Sequence, residues 1–264
     1  MTHTSFHLAM STPVRRIVLV AVSCASTGAC GTKDAAAPLS PAGPTGRVRF
    51  VNVINDTTRG RVNAILEGVV FGANVTYTQG VPATLAAPST APYAAVLAGA
   101  RTLVLKRTAD TSVTVAALSV TIEASQDKSV YAVGGAAGSA VTGFVTTDTN
   151  TAPSATQSRV RFIQLSPTAG TVDVFITAAG ADLAAATATF ASVGYRSASG
   201  YLSLTAGTYQ LRAVPAGTAP SSRAAAVSIN LTGQALAGGS ARTFVAADNT
   251  TGGAPLRAFV LADR

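Results

Sequence analysis

Ser125 and Lys128 have the spacing at which a lysine can activate a serine nucleophile. The stretch SQDK fits a catalytic Ser-x-x-Lys pattern, in which the start of a helix brings the lysine onto the serine. Here the four residues join two strand-like runs, and the sequence contains no Lys-Thr-Gly motif, which accompanies the pattern in enzymes. We therefore interpret the stretch as a polar hairpin turn and predict no catalytic residue.

The carboxylates are too scattered to predict a metal site. The sequence has 11 Asp and Glu residues, most of them isolated at strand ends or in turns, where they cap loops. No spaced Asp series of the calcium-loop kind is present, so a calcium site around Asp56 or Asp148 is only a minor alternative. We predict no metal and no cofactor. Asp173 lies inside the strand-like run VDVFI, where we expect it to bond neighbouring backbone or an arginine, with ligand contact as the alternative.

Two arginine pairs with i, i+2 spacing concentrate positive charge: Arg47 with Arg49, and Arg159 with Arg161. Residues i and i+2 of a strand lie on the same face, and we expect this face to be solvated. The alternative is that the pairs attract acidic polysaccharide or lipid head groups. The arginines alternate with Thr and Ser rather than with aromatic residues, so we predict no nucleic-acid binding.

An apolar segment near the N-terminus predicts export. Arg15 and Arg16 precede 13 residues, Ile17 to Ala29, that are apolar or small. A membrane-spanning helix needs about 20 residues, which makes a permanent span the weaker alternative. We predict a signal peptide at residues 1–29, with the choice between Met1 and Met10 as the start left open.

The residues STGAC, which end at Cys30, resemble the lipobox of bacterial lipoproteins, in which the cysteine is lipidated and becomes the new N-terminus. Thr27 stands where that family usually has leucine, Cys24 is a rival, and an ordinary secretory signal is the alternative. The resemblance implies lipid attachment at Cys30. Because Gly31 replaces the aspartate that commonly retains lipoproteins in the inner membrane, it also implies the outer membrane. Secreted or periplasmic locations are the alternatives.

Cleavage before Cys30 would remove both histidines of the sequence, together with Cys24, Arg15 and Arg16. The formal net charge would fall from +8 to +6, and no pair of cysteines would remain to form an intramolecular disulfide. Histidine is the commonest general base near neutral pH, so its loss disfavours a hydrolase.

The sequence contains an internal repeat. The segments that match in order are RVRFVN (47–52) with RVRFIQ (159–164), VNAIL (62–66) with VDVFI (172–176), and GFVTTD (143–148) with AFVLAD (258–263). We predict a first copy at 47–148 and a second copy at 159–264. A flexible tether with the lipidated cysteine precedes them at 30–46, and a linker joins them at 149–158.

A period of two within these segments predicts strands. Val48 and Phe50 alternate with arginines in the first copy, as Val160 and Phe162 do in the second, and no segment has a helical period over eleven residues. Six or seven short strands per copy predict an all-β protein made of two tandem antiparallel β-sandwich, immunoglobulin-like domains.

The segments RVRFIQLSPTAGTVDVFI, YLSLTAGTYQLRAVPAG and LRAFVLAD resemble a domain of unknown function found, often in tandem, in bacterial cell-envelope lipoproteins and secreted proteins. The resemblance covers 159–264 clearly and 47–148 more faintly, where Asn63 stands in place of Asp173. It implies a β-sandwich and an envelope location, and it implies no activity.

The leading hypothesis is a lipid-anchored cell-envelope protein that acts as a non-catalytic binding or structural module. Its expected partners are the membrane, through the N-terminal lipid, and an envelope protein or acidic polysaccharide. The alternatives are a surface adhesin for acidic glycans and, less favoured, an envelope hydrolase that uses Ser and Asp alone.

Overall fold

The computed structural model describes residues 43–82, 93–149 and 151–264, and the signal segment and Cys30 lie outside these ranges. Within them, nearly all regular structure is strand, with two short 3-10 helices at Ala136–Gly138 and Pro220–Ser222. No helix of the described part is long and apolar enough to cross a bilayer. The predicted all-β sandwich fold is confirmed.

The first copy forms two sheets. Its strands are β1 (Thr45–Ile54), β2 (Val62–Leu66), β3 (Val69–Val75), β4 (Gly80–Val81), β5 (Ala94–Leu97), β6 (Gly99–Arg107), β7 (Asp110–Ile122), β8 (Asp127–Gly134) and β9 (Val141–Asp148). The inner sheet has the order β4-β1-β8-β9, with β5 also paired to β1, and the outer sheet has the order β3-β2-β6-β7. We call a sheet inner when it faces the other copy.

The second copy repeats this arrangement. Its strands are β10 (Gln157–Gln164), β11 (Val172–Thr177), β12 (Phe190–Val193), β13 (Ser197–Ala198), β14 (Leu202–Thr205), β15 (Gly207–Pro215), β16 (Ile229–Leu236), β17 (Ala241–Ala247) and β18 (Arg257–Ala262). The inner sheet has the order β13-β10-β17-β18, with β14 also paired to β10, and the outer sheet has the order β12-β11-β15-β16.

Each inner sheet contains one parallel pair, β1 with β8 and β10 with β17, while the other strand pairs are antiparallel. The parallel registers set Arg49 opposite Ser129 and Arg161 opposite Thr243. In each copy, the arginine of the central strand therefore has a hydroxyl residue beside it on the parallel strand.

The predicted alternation holds for the core inside each sandwich. Val48 and Phe50 pack between the two sheets of the first copy, and Val160 and Phe162 do so in the second. Val174, on the facing outer sheet, is also fully buried. A fully buried side chain of this size contributes about 1.5–3 kcal/mol by leaving water, so these residues hold each sheet pair together.

The opposite face of β1 and β10 is buried as well. A third apolar cluster lies between the two inner sheets, and its buried members are Val51, Val53, Tyr131, Val133, Ile163, Leu165, Val245, Ala247 and Leu261. The prediction that this face meets solvent is wrong for Arg49 and Arg161, which are each only 2% exposed. Period-two alternation shows which residues share a face, but it does not show what covers that face. Residues 41–264 accordingly form one compact unit.

The turn that contains Ser125 and Lys128 connects β7 of the outer sheet to β8 of the inner sheet. It is therefore a crossing between sheets, and the prediction of a hairpin turn was wrong in this respect. Ser125 has a positive φ of 61°, as expected for a residue of a tight turn. Lys128 donates to the Thr147 hydroxyl at 2.7 Å and pairs with Glu123 at 2.7 Å. The helical context that a Ser-x-x-Lys site requires is absent at this turn.

Candidate functional site

Arg49 occupies the centre of a polar network between the two inner sheets. Its Nε donates to Ser129 Oγ at 3.0 Å, within its own copy. Its terminal nitrogens cross to the second copy, where Nη1 donates to the Ala262 carbonyl at 2.9 Å and Nη2 to Asp263 Oδ1 at 2.8 Å. Arg49 thereby bonds the neighbouring strand β8 of its own sheet and the C-terminal end of β18 in the other copy.

Arg161 makes the corresponding bonds in the reverse direction. Its Nε donates to Thr243 Oγ1 at 2.7 Å, within the second copy. Its Nη1 donates to the Thr147 carbonyl of the first copy at 3.5 Å, and its Nη2 donates to Asp148 Oδ1 at 2.5 Å. Each arginine thus reaches the aspartate at the end of the other copy, and the carbonyl just before it.

Both aspartates have further donors from their own copy. Asp148 accepts from Tyr93 at 2.7 Å, from Thr146 at 2.7 Å and from Ser129. Asp263 accepts from the Tyr201 hydroxyl at 3.0 Å and from the Thr243 hydroxyl at 2.6 Å. These bonds satisfy carboxylates that would otherwise be costly to bury.

The two tyrosines also stack beneath the arginines. The guanidinium carbon of Arg49 lies 4.6 Å from the centre of the Tyr93 ring, and that of Arg161 lies 4.7 Å from the centre of the Tyr201 ring. Both distances are within the range of a cation–π contact, which is stronger when water is excluded. Each guanidinium therefore bonds a carboxylate through a terminal nitrogen and lies over a tyrosine ring.

The network keeps its members in the protonation states that its hydrogen bonds require. Burial by itself raises the pKa of Asp148, but Arg161 and Arg49 outweigh burial and hold that pKa below its ordinary value. Burial also raises the pKa of Tyr93 and of Tyr201 well above the ordinary value, because it disfavours the phenolate. At neutral pH Asp148 is ionised and both tyrosines can donate.

The arrangement holds the two inner sheets together. Ser129, which donates to Asp148, has no exposed surface, whereas Asp148 also lines a surface pocket beside Arg47 and Asp127. In the described part of the chain, no group of three or more metal-binding side chains is close enough to hold an ion. Asp148 and Asp56, the alternatives for a calcium site, are paired with Arg161 and Arg59.

The four predicted arginines separate into two kinds. Arg49 and Arg161 form the buried network, whereas Arg47 and Arg159 lie at the edge of the molecule. The side chain of Arg47 is 44% exposed and makes two bonds of 2.6 Å to Asp127. Arg159 donates to the backbone carbonyls of Thr149 and Thr151, in the linker, at 3.0 and 3.3 Å.

Asp173 is placed away from the network, on β11 of the outer sheet. Its carboxylate accepts from the backbone N–H groups of Ser192 at 2.8 Å and Gly217 at 3.4 Å. Asn63, at the matching position of the first copy, likewise accepts from the backbone N–H of Asn74 at 2.8 Å. Only an acceptor oxygen is needed here, which explains why the two copies differ at this position.

A small cleft opens between the copies beside the third cluster. Its volume is about 190 Å³, and its lining includes Tyr77, Tyr195 and Asp248. Tyr77 donates to the Asp248 carbonyl at 2.5 Å, and the Asp248 carboxylate accepts from Thr168 at 2.8 Å. The Tyr77 bond thus joins the two copies across this cleft.

Comparison with known proteins bears on the first copy above all. Residues 46–175 match a protein family described as a domain of unknown function, DUF4397. This segment of 130 residues is similar to that family. The match includes the whole first copy and ends within β11 of the second. The predicted resemblance to a domain of unknown function is confirmed to this extent. No curated protein matches the chain.

The DUF4397 match contains Arg49, Asp148 and Arg161, while Asp263 lies beyond it. Sequence reasoning identified the arginines and named Asp148 only as an alternative calcium site, and it missed the roles of Asp263, Tyr93 and Tyr201. A signal for them was present, because GFVTTD and AFVLAD end in Asp at the same place of each copy, and Tyr93 and Tyr201 begin matching segments.

Proposed function

We propose that this protein is a lipid-anchored, non-catalytic structural or binding module of the bacterial cell envelope. The observation that carries the non-catalytic part is the buried network of Arg49, Arg161, Asp148 and Asp263. These charged groups bond one another and join two sandwiches into one body, although Asp148 also lines a surface pocket beside Arg47 and Asp127. Catalytic groups must be available to a substrate atom, whereas the groups of this cluster are bonded to one another.

The burial of Arg49 and Arg161 counts against an adhesin for acidic glycans. That hypothesis depended on four arginines on a solvated face, and the structure leaves Arg47 and Arg159 near the surface. Arg47 is paired with Asp127, which lowers its attraction for an anion. The structural part of the proposal is therefore favoured over a glycan-binding surface.

The anchoring part of the proposal rests on the sequence around Cys30. The short apolar segment, the small residues before the cysteine and the proline-bearing tether together favour lipid attachment. Several acyl chains on one terminus would give stable membrane binding, since each buried methylene contributes about 0.8 kcal/mol. A lipid at Cys30 would then be the part of the protein that enters the bilayer.

The two parts are tested with the same full-length chain expressed in a two-membrane bacterium. We expect mass spectrometry to find acyl groups on Cys30, and we expect Cys30→Ser to abolish both the lipid mass and membrane retention. Cys24→Ser is the matched control and should change neither. Unmodified Cys30 in a soluble product would contradict anchoring.

The catalytic arm uses the purified wild-type protein with ester, peptide, glycoside and peptidoglycan substrates. We expect no turnover above that of the buffer. A turnover that Ser125→Ala or Ser129→Ala abolishes would contradict the non-catalytic part of the proposal and leave the anchoring part untouched.

A further inference from the structure

The interface between the two copies is built from contacts that occur twice with the copies exchanged. Arg49 of the first copy bonds Asp263 of the second, and Arg161 of the second copy bonds Asp148 of the first. Each arginine also bonds the carbonyl that precedes its aspartate partner. We call this surface, with the third apolar cluster, the exchange interface.

The apolar part of the exchange interface follows the same rule. Matching positions of the repeat are Val51 with Ile163, Val53 with Leu165, Val133 with Ala247, and Phe144 with Phe259, and all of them belong to or pack against this cluster. The matching pair with the largest difference in size is Tyr131 with Val245. A second difference is that Leu261 belongs to the cluster while the matching Thr146 bonds Asp148 instead, but the other matching pairs are apolar in both copies.

Such an arrangement is typical of a twofold-symmetric dimer, in which one surface is complementary to itself. The first copy carries both Arg49 and Asp148, and the second copy carries both Arg161 and Asp263. Two second copies from different chains would therefore hold both halves of two Arg–Asp pairs. The same is true of two first copies.

We propose that the inner-sheet face of each copy is a homotypic docking surface, whose partner is another copy of the same domain. In the intact chain the linker at 149–158 keeps the two copies together at an effective concentration of the order of millimolar. Pairing within the chain then fills both faces, and the chain is a monomer. A face released from its neighbour can pair with a like face of another chain.

The test begins from the full folded chain, with a protease site inserted between Ala152 and Pro153 in the linker. After cleavage at a protein concentration of about 100 µM, at which micromolar complexes are filled, native mass spectrometry separates the possible pairs by mass. We expect the first–second pair to dominate, because Tyr131 and Val245 differ in size, with first–first and second–second pairs as minor species. The uncleaved chain should remain monomeric.

Swapping an arginine and an aspartate across the exchange interface distinguishes specific pairing of two copies from non-specific association. In the double variant Asp148→Arg with Arg161→Asp, the first–second pair keeps an Arg–Asp contact at these two positions. Because Arg49 lies 3.6 Å from Asp148 within the first copy, the loss of like pairs is measured relative to the first–second pair of the same variant. Pairing of like copies would instead bring together two arginines, at positions 49 and 148, or two aspartates, at positions 161 and 263. Like charges in a buried contact are strongly unfavourable, so we expect the like pairs to fall by more than about tenfold.

The matched control exchanges an Arg–Asp pair elsewhere. Arg107 and Asp110 form a partly exposed pair at 3.1 Å on the outer sheet, and Arg107→Asp with Asp110→Arg should leave all three pairs in place. Cleaved wild-type protein that yields only first–second pairs or single copies would overturn the proposal. Like pairs that persist unchanged in the Asp148→Arg, Arg161→Asp variant would overturn it as well.

Discussion

At the scale of single residues, Arg47 and Arg49 show that position decides what a charged side chain does. They are two residues apart on β1 and point to the same side of the strand. Arg47 lies at the end of the sheet and is partly in water, whereas Arg49 is enclosed and must have all its charge balanced by partners. The planar guanidinium suits this, because its nitrogens can bond a serine, a carbonyl and a carboxylate at once.

Arg161→Ala should therefore destabilise the protein severely. It would leave the Asp148 carboxylate buried without its closest charged partner, and breaking a buried pair in this way costs roughly 3–5 kcal/mol. The measurement is the free energy of unfolding in urea. Arg61→Ala, at an exposed arginine, is the control and should stay within about 0.5 kcal/mol of wild type. Equal effects of the two changes would show that the network does not stabilise the fold.

At the scale of the elements, β1 and β10 differ from ordinary sandwich strands because both of their faces are covered. One face packs inside the sandwich around Phe50 and Phe162, and the other packs against the second inner sheet. A central strand of this kind has no solvated side, so its polar residues must find partners inside the protein. The parallel neighbours β8 and β17 provide such partners through Ser129 and Thr243.

Phe162→Ala tests the face of β10 that packs inside the second sandwich. The ring is fully buried, and its removal should cost roughly 3–5 kcal/mol through lost burial and the cavity left behind. The control is Leu202→Ala on β14, at a side chain that is 40% exposed, which should cost less than about 1 kcal/mol. Thermal and urea unfolding both report the difference. A loss below about 1 kcal/mol for Phe162→Ala would be inconsistent with its position between the sheets.

At the scale of the whole molecule, buried and bonded carboxylates make the free energy of unfolding depend on pH under acidic conditions. The folded state lowers the pKa of Asp148 below its ordinary value. It also lowers the pKa of Asp56 to about 2, because bonds from Arg59 and Thr58 outweigh burial. A carboxylate with a lowered folded pKa adds stability above its unfolded pKa of about 4, and that stability is lost as the pH falls toward the folded pKa.

We therefore expect the free energy of unfolding to be nearly constant between about pH 5 and 9 and to fall between about pH 4 and 2. Urea unfolding across this range measures it. Asp148→Asn should lower stability at neutral pH and reduce the slope below about pH 4, since the asparagine cannot take up the proton. An unchanged slope in Asp148→Asn would show that this carboxylate does not link the fold to acid.

The sequence by itself determined the strand content, the repeat and the faces of the strands. Alternation at Val48 and Phe50, and again at Val160 and Phe162, predicts a buried face because a strand places every second side chain on one side. The repeat of RVRF in the same context predicts that both copies fold alike. These properties depend on local order along the chain, which is why they can be read without coordinates.

Only the tertiary structure decided what covers the second face. The partners of Arg49 and Arg161 lie 214 and 13 positions away along the chain, and neither separation identifies them as neighbours. A solvated arginine face and a buried one have the same sequence alternation, because alternation says nothing about what packs against a sheet. The pairing of the two copies depends on the shape and charge of two complete surfaces, which exist only after each sandwich has folded.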